Sequence, residues 1–348
     1  MGIVSMSGVT DKTPGFLLQD SAKGTGEPMV IGFVNNMPDA ALRTTERQFR
    51  DLLSAAAEKI PVRVRFFSLP ELPRSEAGRQ HIDQHYEDID KLWTSEVDGL
   101  IVTGTEPRAP ELRDEPYWNS LATLIEWAEN HTVSTVWSCL AAHAAALEID
   151  GISRRLLPQK LSGVFDTAKA VDHPILSGAP TRWRVPHSRH NELPEEALVA
   201  NGYCIVSRSP EAGADIFIKQ RKSLFVFVQG HPEYDPEALL REYRRDIGRY
   251  LSRERETYPE MPRGYFDDKL SLVLADFRKQ ALHNREIDLL EKFPIGRGEG
   301  NIAHAWREPA VRLYANWLSY LAEQKSRSQG LDEIVVTARN GRQTNSTV

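Results

Sequence analysis

Absences bound this chain before any motif is read. Only two cysteines occur, Cys139 and Cys204, so no disulfide framework is expected and a reducing cytoplasm fits. No run approaches the ~20 apolar residues that span a bilayer, and the opening stretch from Met1 to Val9 lacks a basic region followed by a long apolar segment. Its Gly2 to Ser7 spacing meets a myristoylation signal only loosely and is set aside. A basic excess is missing too: 43 Lys and Arg are interspersed with 49 Asp and Glu, for a net charge of -6, which offers no footprint to nucleic acid. There is no glycine-rich phosphate loop, so no nucleotide cofactor is expected. His81 and His85 are spaced to share a helical face, but no third ligand type stands nearby and no metal site is expected. These exclusions leave small molecules as partners.

What is present is a large core. A hydrophobic share of 41% in 348 residues suits one large or two ordinary globular domains. Residues 1–27 read as a loose lead-in, 28–325 as the folded domain, and 326–348 as a mobile tail. Strands are expected at Met29–Val34, Val62–Phe67 and Val97–Thr103, the last running into the Gly104 loop, and another ends at Cys139. Helices are expected over Thr44–Lys59, His81–Trp93 and Trp118–Asn130 between them. Shorter strands follow at Gly202–Ser207, Ala214–Lys219 and Leu224–Gln229. Pro236–Leu251 is a helix that Asp235 can cap, 254–300 is polar and irregular, and Ala310–Gln324 is a terminal helix. This alternation predicts an α/β fold, a mostly parallel sheet flanked by helices, with sites gathered at the carboxyl ends of its strands. Gly104, Cys139 and His231 all fall at such ends.

Two segments carry chemistry. In Thr135-Val-Trp-Ser-Cys139-Leu-Ala-Ala-His an apolar run breaks at a cysteine and continues as an Ala-rich helix, the way a nucleophile is presented at a strand-to-helix turn. A helix N-terminus and a neighbouring base turn such a thiol into a useful thiolate. His231, ending the strand Leu224–Gln229, can be that base, with Glu233 fixing its tautomer and favouring its charged form. A buried structural cysteine and a strand-ending histidine are the bland alternatives. The Leu140 backbone N–H, first after the nucleophile, is the natural oxyanion donor. Glu242 and Arg245 share a helical face, which a solvated ion pair would also explain. Cys204 reads as buried and His143 as packing; His187 and His190 flank Ser188-Arg189 and stay unassigned.

These residues resemble the homoserine O-acyltransferases of methionine biosynthesis, which are built like class I glutamine amidotransferases. The resemblance runs from Asn35-Asn-Met-Pro38 through Asp98-Gly-Leu-Ile-Val-Thr-Gly104, Tyr117-Trp118, the Cys139 turn and Lys160-Leu-Ser-Gly-Val-Phe165. It continues with Val185-Pro-His-Ser-Arg-His190, Gly230-His-Pro-Glu-Tyr-Asp235, Glu242, Arg245 and Asn316-Trp-Leu. It implies a flavodoxin-like three-layer sandwich and a two-step transfer. Cys139 would take an acyl group from acyl-CoA, a co-substrate rather than a cofactor, and the hydroxyl of L-homoserine would then take it with His231 as base and Glu233 as its orienter. Lys160, Ser188, Arg245 and Glu242 would line the homoserine pocket, with Arg245 on the α-carboxylate and Glu242 attracting the ammonium. Taken without the family, Lys160 reads as a surface charge and Ser188 as a turn former.

The acyl donor is set in that family by the loop after Gly104, and here the loop departs from the pattern. Thr105-Glu-Pro-Arg108 stands where a glutamate aligned with Arg108 goes with acetyl transfer and a glycine with succinyl transfer. A guanidinium there could pair with a succinyl carboxylate, so Arg108 leans the reading toward succinyl-CoA over acetyl-CoA. Arg108 could equally face solvent or a CoA phosphate, and Glu106 or Glu111 could fill that space. Pro107 has no N–H, so the second oxyanion donor falls to Arg108 or another loop amide. Asp39-Ala-Ala-Leu-Arg43 likewise replaces the family's usual lysines. A homoserine O-acetyltransferase, a cysteine-dependent amidotransferase-type hydrolase and a non-enzymatic relative remain as alternatives, and a homodimer stays open.

Overall fold

The computed structural model describes residues 16–17, 27–58, 60–294 and 304–343. Among the described residues ten strands form one sheet: β1 (Phe16–Leu17), β2 (Met29–Val34), β3 (Val62–Phe67), β4 (Gly99–Val102), β5 (Ser134–Ser138), β6 (Arg155–Lys169), β7 (Arg182–Glu192), β8 (Cys204–Ser209), β9 (Gly213–Gln220) and β10 (Leu224–Val228). Their order across the sheet is β1-β3-β2-β4-β5-β10-β9-β8-β6-β7. The strands from β3 to β10 in that order run parallel. Every residue of β4, β5 and β10 is buried, the pattern of strands covered on both faces.

The helices are α1 (Asp39–Ala57), α2 (Glu76–His85), α3 (Asp90–Trp93), α4 (Trp118–His131), α5 (Leu140–Asp150), α6 (Glu195–Ala200), α7 (Ala238–Leu251), α8 (Asp268–His283) and α9 (Arg307–Gln343). On one face α4 and α5 pack through Leu121, Leu124, Ile125 and Ala141–Leu147. On the other α1 lays down Leu42, Phe49, Leu52, Leu53 and Ala56 against Tyr314, Trp317 and Leu318 of α9. Trp317 donates through Nε1 to Ser134 Oγ at 3.0 Å, fixing α9 to β5. The α/β sheet flanked by helices is therefore as the sequence implies. Strands β9, β8, β6 and β7 add an antiparallel extension: β8 and β9 fall on the strands expected at Gly202–Ser207 and Ala214–Lys219, whereas the long β6–β7 ladder is outside the expectation.

Several boundaries differ for local reasons. The expected helix over His81–Trp93 is broken, because Glu87 is pulled onto β3: its N–H donates to Phe66 O at 2.8 Å and its carboxylate takes Arg65 in two bonds of 2.7 Å. Within the polar 254–300 stretch lies α8, started by Asp267, whose carboxylate accepts from Leu270 N at 2.7 Å. Helices α7 and α8 enclose a separate cluster of Tyr243, Ile247, Leu274 and Phe277. Cys204 is exposed rather than buried, since it opens β8 on the side opposite Tyr203 and Ile205. The terminal helix extends to Gln343 and takes in most of the segment set apart as a tail, a stretch without proline. Of the lead-in over 1–27, only Phe16–Leu17 and residue 27 are among the described residues; 344–348 lie outside them. Among the described residues no helix is long and apolar enough to cross a membrane.

Candidate active site

Cys139 sits between the last residue of β5 and the first of α5, with φ 52° and ψ -112°. A non-glycine residue pays for that backbone, and the local reward is a thiol lifted clear of the strand at a helix N-terminus. The turn is held by Cys139 N–H donating to Val228 O at 2.7 Å, which joins it to the end of β10. Helix α5 can approach the sheet so closely because its buried side chains from Ala141 to Ala146 are alanines apart from His143. At the neighbouring strand end, a Cβ on Gly104 would lie 2.6 Å from Leu140 Cβ and 2.9 Å from Leu140 N. Glycine is what lets the β4 loop reach the Leu140 amide.

His231 follows β10 and is fixed by its N–H donating to Pro186 O at 2.8 Å. Its Nδ1 lies 2.8 Å from Glu233 Oε1, the ring stacks on Tyr234 at 4.2 Å, and it is hydrogen-bonded to the Cys139 side chain. With Nδ1 used by Glu233, Nε2 is the ring nitrogen left for the thiol. Burial would lower the His231 pKa, but the Glu233 carboxylate and the Cys139 sulfur outweigh it and raise the pKa well above the ordinary value. The fold thus brings the Cys139, His231 and Glu233 side chains together. His143 is different: fully enclosed beside Gln229 Oε1 at 3.0 Å, its pKa falls to about 3 by burial, in keeping with a packing role.

A polar cluster adjoins Cys139, His231 and Glu233. Glu242 of α7 accepts from Ser188 Oγ and from Tyr234 OH, and has Lys160 Nζ at 3.4 Å. Lys160 also donates to Asp246 Oδ2 at 2.8 Å, and Asp246 takes Arg245 at 3.0 and 3.2 Å. Burial pushes the Glu242 pKa up, but Lys160 with the Ser188 and Tyr234 hydroxyls brings it below the usual carboxylate range; Asp246 is lowered likewise, burial being outweighed by Lys160 and Arg245. The solvated Glu242–Arg245 pair is not what forms, because each side chain has a different partner. Lys160, Ser188, Glu242 and Arg245 are nevertheless brought together. Sequence reasoning missed Tyr234, which links the His231 ring to Glu242, and Asp246, which sits one helical turn from Glu242; the first lay inside the quoted Gly230–Asp235 motif.

Arg108 is exposed, and its backbone N–H, like that of Ala109 at 2.7 Å, donates to Glu115 Oε1. The Arg108 amide is therefore engaged by Glu115 and is not free to be the second oxyanion donor that the resemblance asks for. The loop's ion pair across the site is made by Glu106, to Arg249 at 2.7 and 3.0 Å. Of the Asp39–Arg43 stretch, Asp39 starts α1 and accepts from Ser75 N at 2.7 Å. His187 is buried 3.5 Å from Asp215, and His190 is exposed. His81 lies 2.9 Å from Glu46 with its ring against His85. Among the described residues no group of three or more His, Cys, Asp or Glu could hold a metal ion.

A glutamine amidotransferase from Thermotoga maritima superposes with a TM-score of 0.46 at 12% identity, over 85% of this chain and 99% of that one. A homoserine O-succinyltransferase of Rhodopseudomonas palustris is 49% identical over 294 residues, 84% of this chain and 88% of the relative. Another of that name from Bradyrhizobium japonicum is 47% identical over 298 residues, 85% of this chain and 90% of the relative. The homoserine O-succinyltransferase family model matches residues 14–328. On that span and those identities, the chain belongs to the homoserine O-succinyltransferase family.

Proposed function

We propose that this chain moves a succinyl group from succinyl-CoA to the hydroxyl of L-homoserine, through a thioester on Cys139, in methionine biosynthesis. The observation that carries the reading is the Cys139, His231 and Glu233 arrangement, a strained thiol at a helix N-terminus with a charged, carboxylate-held imidazole against it. In the first half-reaction the Cys139 sulfur attacks the donor carbonyl carbon. The Leu140 N–H and a loop amide near Gly104 receive the oxyanion, the carbon–sulfur bond to CoA breaks, and His231 Nε2 gives its proton to the departing thiolate. In the second, His231 takes the proton of the homoserine hydroxyl as its oxygen attacks the enzyme thioester. The carbon–sulfur bond to Cys139 breaks and O-succinylhomoserine leaves.

The polar cluster beside Cys139 and His231 suits the amino-acid end of the acceptor. Arg245 offers its guanidinium to the α-carboxylate, and Glu242, held ionised, offers an oxygen to the α-ammonium. Lys160 and Ser188 keep Glu242 in place. No cofactor enters this scheme. The two unpaired cysteines suit work in the reducing cytoplasm. Steady-state kinetics with both substrates varied test the reading: parallel double-reciprocal lines are expected for a covalent ping-pong route, and converging lines would contradict it. Glutaminase activity in the same preparation would favour the amide-hydrolysing alternative.

A further inference from the structure

Arg249 lies one helical turn beyond Arg245 on α7, and it holds a carboxylate in the two-pronged geometry that guanidinium groups use for ligands. Its Nη1 donates to Glu106 Oε1 at 2.7 Å and its Nη2 to Glu106 Oε2 at 3.0 Å. Glu106 is two residues past Gly104, the residue packed on the Leu140 amide, so chain length holds its Cα within about 7 Å of the oxyanion strand end. A succinyl thioester carries its free carboxylate two methylenes beyond the reacting carbonyl, on the same scale.

The neighbouring cations have other assignments: Lys160 is held by Glu242 and Asp246, Arg245 pairs with Asp246 and is assigned above to the acceptor carboxylate, and Arg255 lies 3.8 Å from Asp246. Arg249 instead faces the loop that begins at the oxyanion site. Its side chain is 37% exposed and that of Glu106 51%, so solvent screens the pair, it stabilises the fold little, and it can separate readily. The Arg249 hydrogen bonds and charge lower the Glu106 pKa despite partial burial, so the loop carboxylate stays ionised.

We propose that Arg249 recognises the free carboxylate of the succinyl donor, and that Glu106 is an internal carboxylate occupying the Arg249 fork until that donor displaces it. This rests on the acyl-CoA reading above and assigns donor choice to Arg249 rather than Arg108. An acetyl group has no distal carboxylate and leaves the Arg249–Glu106 bridge closed.

The test is CoA release by the full chain and its Arg249→Gln, Arg249→Lys and Glu106→Gln variants, with succinyl-CoA and acetyl-CoA as alternative donors and L-homoserine as acceptor. Arg249→Gln is expected to lower the succinyl-to-acetyl ratio of kcat/KM at least tenfold, on the order of one charge-assisted fork. Arg249→Lys recovers part of it, because an ammonium keeps the charge but not the fork. Glu106→Gln, by removing the competitor, moves the ratio upward through a lower KM for succinyl-CoA. A bridge that is only structural would shift both partners' variants the same way, and either that result or no shift in Arg249→Gln overturns the proposal. If the unaltered chain released CoA from neither donor, the acyl-CoA reading would fall and this inference with it; turnover of succinyl-CoA with no effect of Arg249→Gln would remove the inference alone.

Discussion

Gly104→Ala isolates the contact on which the proposed placement of the oxyanion at Leu140 depends. The new Cβ would meet Leu140 Cβ at 2.6 Å and Leu140 N at 2.9 Å, and neither is the free end of a flexible side chain. Carbon atoms settle at about 3.5–4.0 Å, so the β4 loop or the start of α5 must shift by roughly 1 Å. The φ of Gly104 is outside the left-handed region, so alanine adds no backbone strain of its own there. Overpacking of this kind costs about 1–3 kcal/mol, and the stiffer unfolded chain returns about 0.4–1 kcal/mol. The variant should fold. A misplacement of about 1 Å in a reacting geometry costs about 100-fold in rate, and loss of one oxyanion donor about 100- to 1,000-fold. Rapid-quench acylation of Cys139 by succinyl-CoA should therefore slow about 100-fold, with the denaturant midpoint only modestly lowered. Acylation near the wild-type rate in a folded Gly104→Ala chain would refute the placement of the oxyanion at Leu140.

Further outcomes follow from the same geometry. Cys139→Ala abolishes turnover and leaves circular dichroism and the unfolding midpoint close to wild type; turnover at wild-type rates would exclude the covalent route. Arg245→Ala raises KM for homoserine by about tenfold, with far less effect on KM for succinyl-CoA, as initial rates would show. The raised His231 pKa makes stability depend on pH: its contribution is complete below the unfolded value near 6.5 and is lost as pH rises through the higher folded value. Glu233→Gln removes the partner that holds this proton, so unfolding followed from pH 6 to pH 10 should show a smaller loss. Asp215 works in the same direction, since burial raises its pKa to about 6, and stability that is present below the unfolded value of 3.8 is lost as pH rises through 6. Asp215→Asn should flatten the unfolding midpoint across pH 4 to 7.

The parts legible in the sequence are those with short-range signatures. Strands β4 and β10 are unbroken apolar runs because both faces are covered, β5 is buried as fully although it carries Ser134, Thr135 and Ser138, and the Cys139 turn shows as a cysteine followed by alanines. The β6–β7 ladder was not legible, because Arg155–Lys169 and Arg182–Glu192 mix charges and prolines on half-exposed strands at the sheet's edge, without a clean alternation. Helix α8 hides in a charged stretch, where its stripe of Leu274, Phe277 and Ala281 faces only a satellite cluster. The site shows the same division. Cys139, His231 and Glu233 sit at strand ends that periodicity reveals, whereas the Glu106–Arg249 bridge joins residues 143 apart and only the folded chain discloses it.

The central claim is an acyl group resting on Cys139. Mass spectrometry of the Cys139 peptide after mixing the chain with succinyl-CoA tests it most directly, with acetyl-CoA in parallel and L-homoserine added as a chase. A succinyl increment on that peptide, discharged by homoserine, is the predicted result. Turnover to O-succinylhomoserine without any increment on Cys139, or an increment that homoserine fails to discharge, would contradict the account.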